Sequence, residues 1–295
     1  MPTARSPFRF RNLPAKATVA PTVVVMAVCF YGCILWTIYI SMTASGMLPS
    51  YEFIGFDQYS RLFDTRRWAI AFTNMFVFGG LFIGISLVLG FGLAVMIDQR
   101  VRLEGAFRTI FLYPLAMSFV VTGLVWQWLL NPTLGIQDLV RDLGFENFTF
   151  DWIVDREMAI YTLVIAAVWQ ASGLIMALML AGLRGIDAEI WRATRIEGIH
   201  PARVYWHVIL PMLRPTVMTC VVILAIAVVK SYDLVVAMTN GGPGNASDLP
   251  AKFVVDFTFQ RANLGLASAA AVIMLVTVAA ALAPYLYLGF GRKGR

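Results

Sequence analysis

GIDAEIWRATRIEGIHPARVYWHVILPMLRP, residues 185–215, is a charged island between two long apolar runs. A stretch this polar belongs outside a bilayer, because each charge costs about 2.5–3.5 kcal/mol near a membrane centre. It also has internal design. Asp187 is placed as the N-cap of a short helix. Ile190, Ala193, Thr194 and Glu197 follow at helical spacing on one face. Gly198 is placed to end that helix, since glycine takes the left-handed conformation without steric cost. Pro201 can open a second helix at its first position, where a missing N–H does no harm. Val204, Val208 and Ile209 line one face of it, and Leu210-Pro211 is expected to close it. The spacing predicts two short helices joined by a sharp bend at a membrane surface. An amphipathic connector lying among headgroups would share the pattern, but only a segment that pushes on a partner needs the bend.

Outward from this island the chain is 59% hydrophobic and 14% charged, with a mean hydropathy of +0.75. A soluble domain carries about a quarter charged residues, so the fold class is an all-α integral membrane protein. Runs of about 20 apolar residues mark spans, and six are expected: Ala20–Met42, Ala71–Ile97, Thr109–Leu130, Ala159–Gly182, Thr216–Met238 and Leu264–Leu288. Of the 23 Lys and Arg, 15 fall in the two tails and the second and fourth connections, against 7 in the odd-numbered connections. The positive-inside rule then puts both termini and residues 185–215 in the cytoplasm. The third connection is acidic, with Asp138, Asp142, Glu146, Asp151, Asp155 and Glu157, which agrees with an external position. The formal charge of +6 is thus a matter of membrane topology and gives no sign of a nucleic-acid partner.

The first 19 residues read as a tail. Arg5, Arg9, Arg11 and Lys16 precede the first apolar run, which is too long for a signal-peptide core, and Pro7, Pro14 and Pro21 argue for an extended chain. Residues 20–70 hold the first span and an external loop, 71–288 the core, and 289–295 a basic tail with Arg292, Lys293 and Arg295 as anchors. Cys29, Cys33 and Cys220 lie inside expected spans and read as small buried apolar residues. Glycines 79, 80, 84, 90 and 92 in the second span, and Gly265 with Ala267 to Ala271 in the sixth, predict close helix packing. Tyr113-Pro114 predicts a kink in the third span.

Polar groups inside spans point to helix partners or a water-filled path. Gln127, Trp169 and Gln170 combine amides with aromatic faces, which suits a sugar ring and suits helix packing equally. The sharpest feature is Lys230-Ser231-Tyr232-Asp233. Lys230 and Asp233 are three apart on one expected helix and so can neutralise each other, or Lys230 can attract an anionic solute. Asn240 follows, in the turn Thr239-Asn240-Gly241-Gly242-Pro243-Gly244.

Three of these stretches resemble known patterns. Arg192-Ala193-Thr194, Glu197-Gly198, Tyr205, Val208, Leu210 and Pro211 resemble the cytoplasmic coupling motif of ABC importer permeases, E-A-A-x3-D-G…I-x-L-P. Arg192 stands where that pattern has its first glutamate, and Glu197 where it has aspartate, which puts a salt bridge from the first position in doubt. F-I-G-F-D-Q-Y-S-R-L-F-D, from Phe53, resembles the F-x-G-x-x-N-Y-x-x-L-F segment of sugar-type permeases. Met238 to Ser247 resembles the L-T-x-G-G-P-x-x-A-T string of the sugar branch, in its "first permease" type.

The resemblance covers about Phe53 to Leu288. It implies a type I ABC importer permease fold in a bacterial inner membrane. It also implies a pore shared with a second homologous permease, two cytoplasmic ATPase subunits and an external solute-binding protein. Asp187, Ile190 and the matched residues would form the ATPase-coupling surface. ATP and Mg would be bound by the partner ATPases, and no cofactor by this chain. The solute would be a sugar or sugar-like.

The sequence contains no G-x4-G-K-[ST] phosphate loop, no H-E-x-x-H and no G-x-S-x-G, so neither ATP hydrolysis nor those hydrolytic chemistries is expected of it. His200 and His207 are the only histidines and both lie in the island, so no metal site is expected. A rival reading is a membrane enzyme acting on lipid-linked or glycosyl substrates, with Asp98, Glu104 and Glu157 as candidate acids, which show no paired arrangement. A non-transporting scaffold, or a permease for a non-sugar solute, would share the same pattern of spans.

Overall fold

The computed structural model describes residues 13–99 and 102–290. Among these the chain is helical almost throughout, and the only strand-like pairing is an isolated bridge between Thr43 and Phe53. The helices are α1 Leu13–Ile40, α2 Asp57–Asp64, α3 Arg66–Asp98, α4 Glu104–Leu112, α5 Phe119–Leu129, α6 Ile136–Asp142 and α7 Ala159–Arg184. They continue as α8 Ala188–Ile196, α9 Pro201–Met212, α10 Arg214–Val229, α11 Tyr232–Met238, α12 Pro250–Val255 and α13 Leu264–Phe290. Four helices, α1, α3, α7 and α13, are each long and apolar enough to cross a bilayer. Two bent pairs, α4 with α5 and α9 with α10, bring the number to six when each is one broken span.

In lipid the apolar solvent does not drive helices together, so close van der Waals packing must. α3 and α7 supply it. Phe78 and Phe82 on α3, and Leu163, Ile175, Met176 and Leu180 on α7, are buried in one core with Cys220 and Leu224 of α10. At the closest approach a Cβ on Gly90 would lie 2.5 Å from Ile175 Cγ2, so only glycine fits there. The expected glycine face is thus only partly used: Gly79 and Gly90 meet neighbours, whereas Gly80, Gly84 and Gly92 have nothing within 4 Å of an added Cβ. The helical period turns those three to the other side of α3. On α13, Gly265 and Ala267 to Ala270 are buried as expected. α1 is almost bare, with Cys29 and Cys33 exposed rather than buried, and rests on α13 near its end at Ile40.

Four expectations are corrected. The tail is not extended up to residue 19: α1 begins at Leu13, because Pro14 falls in a first turn where its missing N–H is harmless, and it runs through Pro21. Arg5, Pro7, Arg9, Arg11, Arg292, Lys293 and Arg295 lie outside the described residues, as does the side chain of Lys16. The third span is a corner of 101° rather than a kink. Pro114 ends the helix in a 3₁₀ turn, Met117 is extended, and Ser118 caps a fresh helix by accepting from Val121 N at 3.3 Å. The fifth span stops at Val229: the Ser231 hydroxyl bonds back to Val228 O at 2.7 Å, offering the backbone an alternative to the helical ladder. Finally, Leu210-Pro211 does not close its helix, which passes through a π turn at Tyr205–Ile209 and ends at Met212.

Candidate functional site

The charged island folds as a bent two-helix handle. Asp187 Oδ1 accepts from Glu189 N at 3.0 Å and starts α8. Gly198 ends it with φ +64°, where Gly198 N reaches Arg195 O at 3.2 Å and Ile199 N reaches Thr194 O at 3.3 Å. These are the two bonds of a glycine-terminated helix. Pro201 opens α9, and His200 Nδ1 caps it by accepting from Ala202 N at 3.3 Å. That cap was not anticipated; a polar residue just before a helix-opening proline was the available signal.

The inner face of the handle is built on aromatics. Tyr205 meets Trp191 edge-on at 5.7 Å and Phe91 of α3 at 6.3 Å, while Thr194, Val204 and Ile209 are buried and Val208 half-buried. Arg192, Ala193, Glu197, Gly198 and Pro211 are exposed, and Ile190, Tyr205 and Leu210 half-buried. Ile196 at 87% and Trp206 at 66% exposure add apolar area to the outer surface. Of the face expected from spacing, Ile190 and Thr194 point inward while Ala193 and Glu197 do not, because Trp191 takes the inward place beside them. At the root of the handle Arg184 reaches Glu104 at 2.8 Å and Asp98 at 3.6 Å. Two of the carboxylates considered for an enzyme are therefore engaged in tying α3, α4 and α7 together.

The candidate path residues separate into groups. Gln170 is buried, and its Nε2 donates to Met117 O at 2.8 Å, the carbonyl freed by the corner between α4 and α5. It fixes the break. Trp169 is half-buried and packs edge-on against Trp126 at 5.9 Å. Lys230 and Asp233 are both exposed, Tyr232 is half-buried, and the ion pairs among the described residues do not join Lys230 to Asp233. The break at Ser231 removes the continuous helix on which their pairing was expected. Gln127 and Asn240 come together instead on a cavity of about 360 Å³ at the end of the molecule away from the handle, lined also by Asn131, Val236 and Thr239.

Beside that cavity lies a charge cluster that sequence reasoning missed. Arg67 Nε meets Asp248 Oδ2 at 2.6 Å and its Nη2 bonds Asp256, which also takes Lys252 at 2.5 Å and Gln260 at 3.1 Å. Asn74 Nδ2 holds the loop from above by donating to Ala246 O at 2.7 Å and Asp248 O at 3.0 Å. Only Lys252 and Asp256, four apart, were legible as a helical pair. Burial pushes the Asp248 carboxyl up despite Arg67, and its Oδ1 is buried without a hydrogen-bond partner. Burial also acts against Asp256, but hydrogen bonds from Arg67 and Lys252 outweigh it and hold that carboxyl below its ordinary range. The cluster clamps the N-terminal end of α3 to the Gly-Gly-Pro turn and α12.

Comparison with known proteins agrees with this architecture. The family described as "Binding-protein-dependent transport system inner membrane component" matches residues 86–291. A probable ABC transporter permease protein of Pyrococcus horikoshii is 34% identical over 277 residues, 93% of this chain and 95% of that protein. The xylose/arabinose import permease protein XacH of Haloferax volcanii is 30% identical over 92% of this chain and 86% of its own. Among solved structures, a chain of a bacterial alginate ABC transporter, in complex with an alginate pentasaccharide-bound periplasmic protein, superposes with a TM-score of 0.78. It is 19% identical and covers 91% of this chain and 92% of its own.

Proposed function

The chain belongs to the binding-protein-dependent transport system inner membrane component family, and from that premise we propose that it forms part of a sugar-importing pore driven by partner ATPases. A permease subunit of this kind is a conduit and not itself an enzyme. The reading places the protein in a bacterial inner membrane with the handle and both termini in the cytoplasm. It divides the chain into a tail that is already helical from Leu13, a first span and outer loop up to residue 70, a core (71–288) and a basic tail (289–295).

The observation that carries the proposal is the handle: a capped, bent, two-helix element with a packed inner face and an outer surface of Arg192, Ala193, Ile196, Glu197 and Trp206 left uncovered. A solvated loop would not expose apolar groups from so ordered a scaffold. In the proposed cycle this outer surface sits in a groove of an ATPase subunit, which binds ATP and Mg. Closure of the ATPases pulls the handle, and Arg184 passes the displacement to α3 and α4 through Asp98 and Glu104. The spans then rock, opening the path to the side where a solute-binding protein delivers its cargo, so that ATP drives alternation between two states. A second permease would cover the open face of α3 at Gly80, Gly84 and Gly92, and would face Lys230, Tyr232 and Asp233 across the pore. The xylose/arabinose permease supports a sugar as solute.

The test is reconstitution with a second permease, an ATPase and a solute-binding protein of a sugar importer, with Ala193→Cys on the outer face of the handle. ATP-dependent solute uptake that requires the binding protein is expected, and the thiol should be shielded from maleimide when the ATPase is present. A thiol alkylated equally with and without bound ATPase would remove the handle from the mechanism.

A further inference from the structure

The cavity shared by Gln127 and Asn240 is built by long-range packing. At position 123 a Cβ would lie 2.7 Å from Ala237 Cβ and 3.3 Å from Leu234 O, so α5 and α11 touch only because that residue is glycine. One helical turn further on, Gln127 comes up beside Val236 and Asn240. The chain then folds back over itself: Asn131 Oδ1 accepts from Thr133 N at 2.9 Å and Leu134 N at 3.2 Å. Ile153 and Val154 return to form a third wall, and Pro243 closes the far side.

The chemistry of the lining is specific in two ways. None of its residues is charged: Gln127, Asn131, Thr239 and Asn240 supply the polar groups, and Pro132, Ile153, Val154, Val236, Met238 and Pro243 the apolar walls. The carboxamides of Gln127 and Asn240 make no hydrogen bond within the described residues, and Asn131 commits only its oxygen. Each free carboxamide offers two N–H donors and one acceptor oxygen, which matches hydroxyl groups that also donate and accept. The apolar walls match the C–H faces of a sugar ring. The lining itself offers an anion no cation: Arg67 and Lys252 beside it are taken by Asp248 and Asp256, and Arg156 lies behind the lining against Gly244, so an anion here would give up water for uncharged groups, which is costly. The volume, about 360 Å³, lies at the small end of the roughly 300–1,000 Å³ range of small-ligand sites.

We propose that this cavity is an outer vestibule that receives a neutral, hydroxyl-bearing solute before it reaches the membrane-spanning path, with Gln127 and Asn240 as its hydrogen-bonding residues. The proposal rests on the permease reading and narrows its solute class. Lys230 and Asp233 line no part of the vestibule.

The experiment uses the reconstituted four-component importer and a panel of neutral sugars and polyols, sugar acids and sugar phosphates. Neutral solutes alone should be taken up. Gln127→Leu and Asn240→Gly should each raise KM roughly fivefold, the loss of about one hydrogen bond, and Gln127→Asn should recover part of the loss. Glycine is chosen because Asn240 has φ +48°, which glycine adopts freely, so the turn survives while the amide is removed. Asp142→Asn, on α6 and outside the lining, should leave KM unchanged. Uptake restricted to acids or phosphates, or an unaltered KM in both Q127L and N240G, would overturn the vestibule. An assembled wild-type complex that moves none of the panel under ATP would overturn the permease reading itself.

Discussion

Replacing Gly198 separates the bend of the handle from the rest of the fold. Its φ of +64° lies in the left-handed region, it is exposed, and an added Cβ would meet nothing within 4 Å. Gly198→Ala therefore introduces no clash, and its cost is the strain of an L-residue in that region, about 1–2 kcal/mol. Gly198→Pro must hold φ near −65°, a rotation of about 130° from the observed value, and it also loses the 3.2 Å bond to Arg195 O. That change costs about 3 kcal/mol or more. At about 1.4 kcal/mol per decade, alanine lowers the population of the bent form by up to about 5–30-fold and proline by more than about 100-fold. The assay is ATP-driven uptake by the reconstituted importer, with the melting temperature of the detergent-solubilised chain as control. Uptake should fall in the order glycine, alanine, proline while the melting temperature stays within a few degrees, because no span touches this position. Proline supporting uptake as well as alanine would refute the lever.

Three further outcomes are expected. Gln170→Leu leaves the Met117 carbonyl without its amide donor and should cost about 1–3 kcal/mol, read as a lower melting temperature with the corner between α4 and α5 exchanging hydrogen faster. In the Arg67 clamp, Asp256→Asn strands Lys252 and should destabilise by roughly 3–5 kcal/mol, and Asp248→Asn by less, since burial disfavours that charge. The pH signs differ accordingly. The depressed Asp256 contributes stability above the unfolded carboxylate value of about 3.9, lost as pH falls through its lower folded value. The raised Asp248 costs stability once the unfolded chain ionises, and it regains a proton first on acidification. Protection factors in residues 239–263, with the intrinsic pH dependence of exchange divided out, should therefore stay high from pH 7 to about 5 and fall only below about 4. Lys230→Met tests the path residues: a change in KM or solute preference is expected, and unchanged uptake would remove Lys230 from the path.

The handle was readable because its signals act over two to four residues. Asp187 caps the amide two positions on, and Gly198 and Pro201 set their own backbone angles, so a linear chain carries the whole instruction. The six apolar runs were equally plain, since the bilayer demands length and apolarity from each segment separately. The limits of local reading show at Leu210-Pro211, where the π turn at Tyr205–Ile209 carries the helix past the expected stop.

Other features needed partners from far away in the chain. Gln170 was read from the sequence as a path residue, and its bond to Met117, 53 positions earlier, had no local signal; the corner it holds turned an expected kink into a break. Arg67 and Asp248 form the clamp on α3 across 181 positions, and Gln127 shares a cavity with Asn240 only because Gly123 lets α5 and α11 touch. Residue order alone cannot rank such pairings, because every apolar helix packs acceptably against many others in lipid. The choice among them depends on which close approaches and buried hydrogen bonds can be satisfied together in three dimensions.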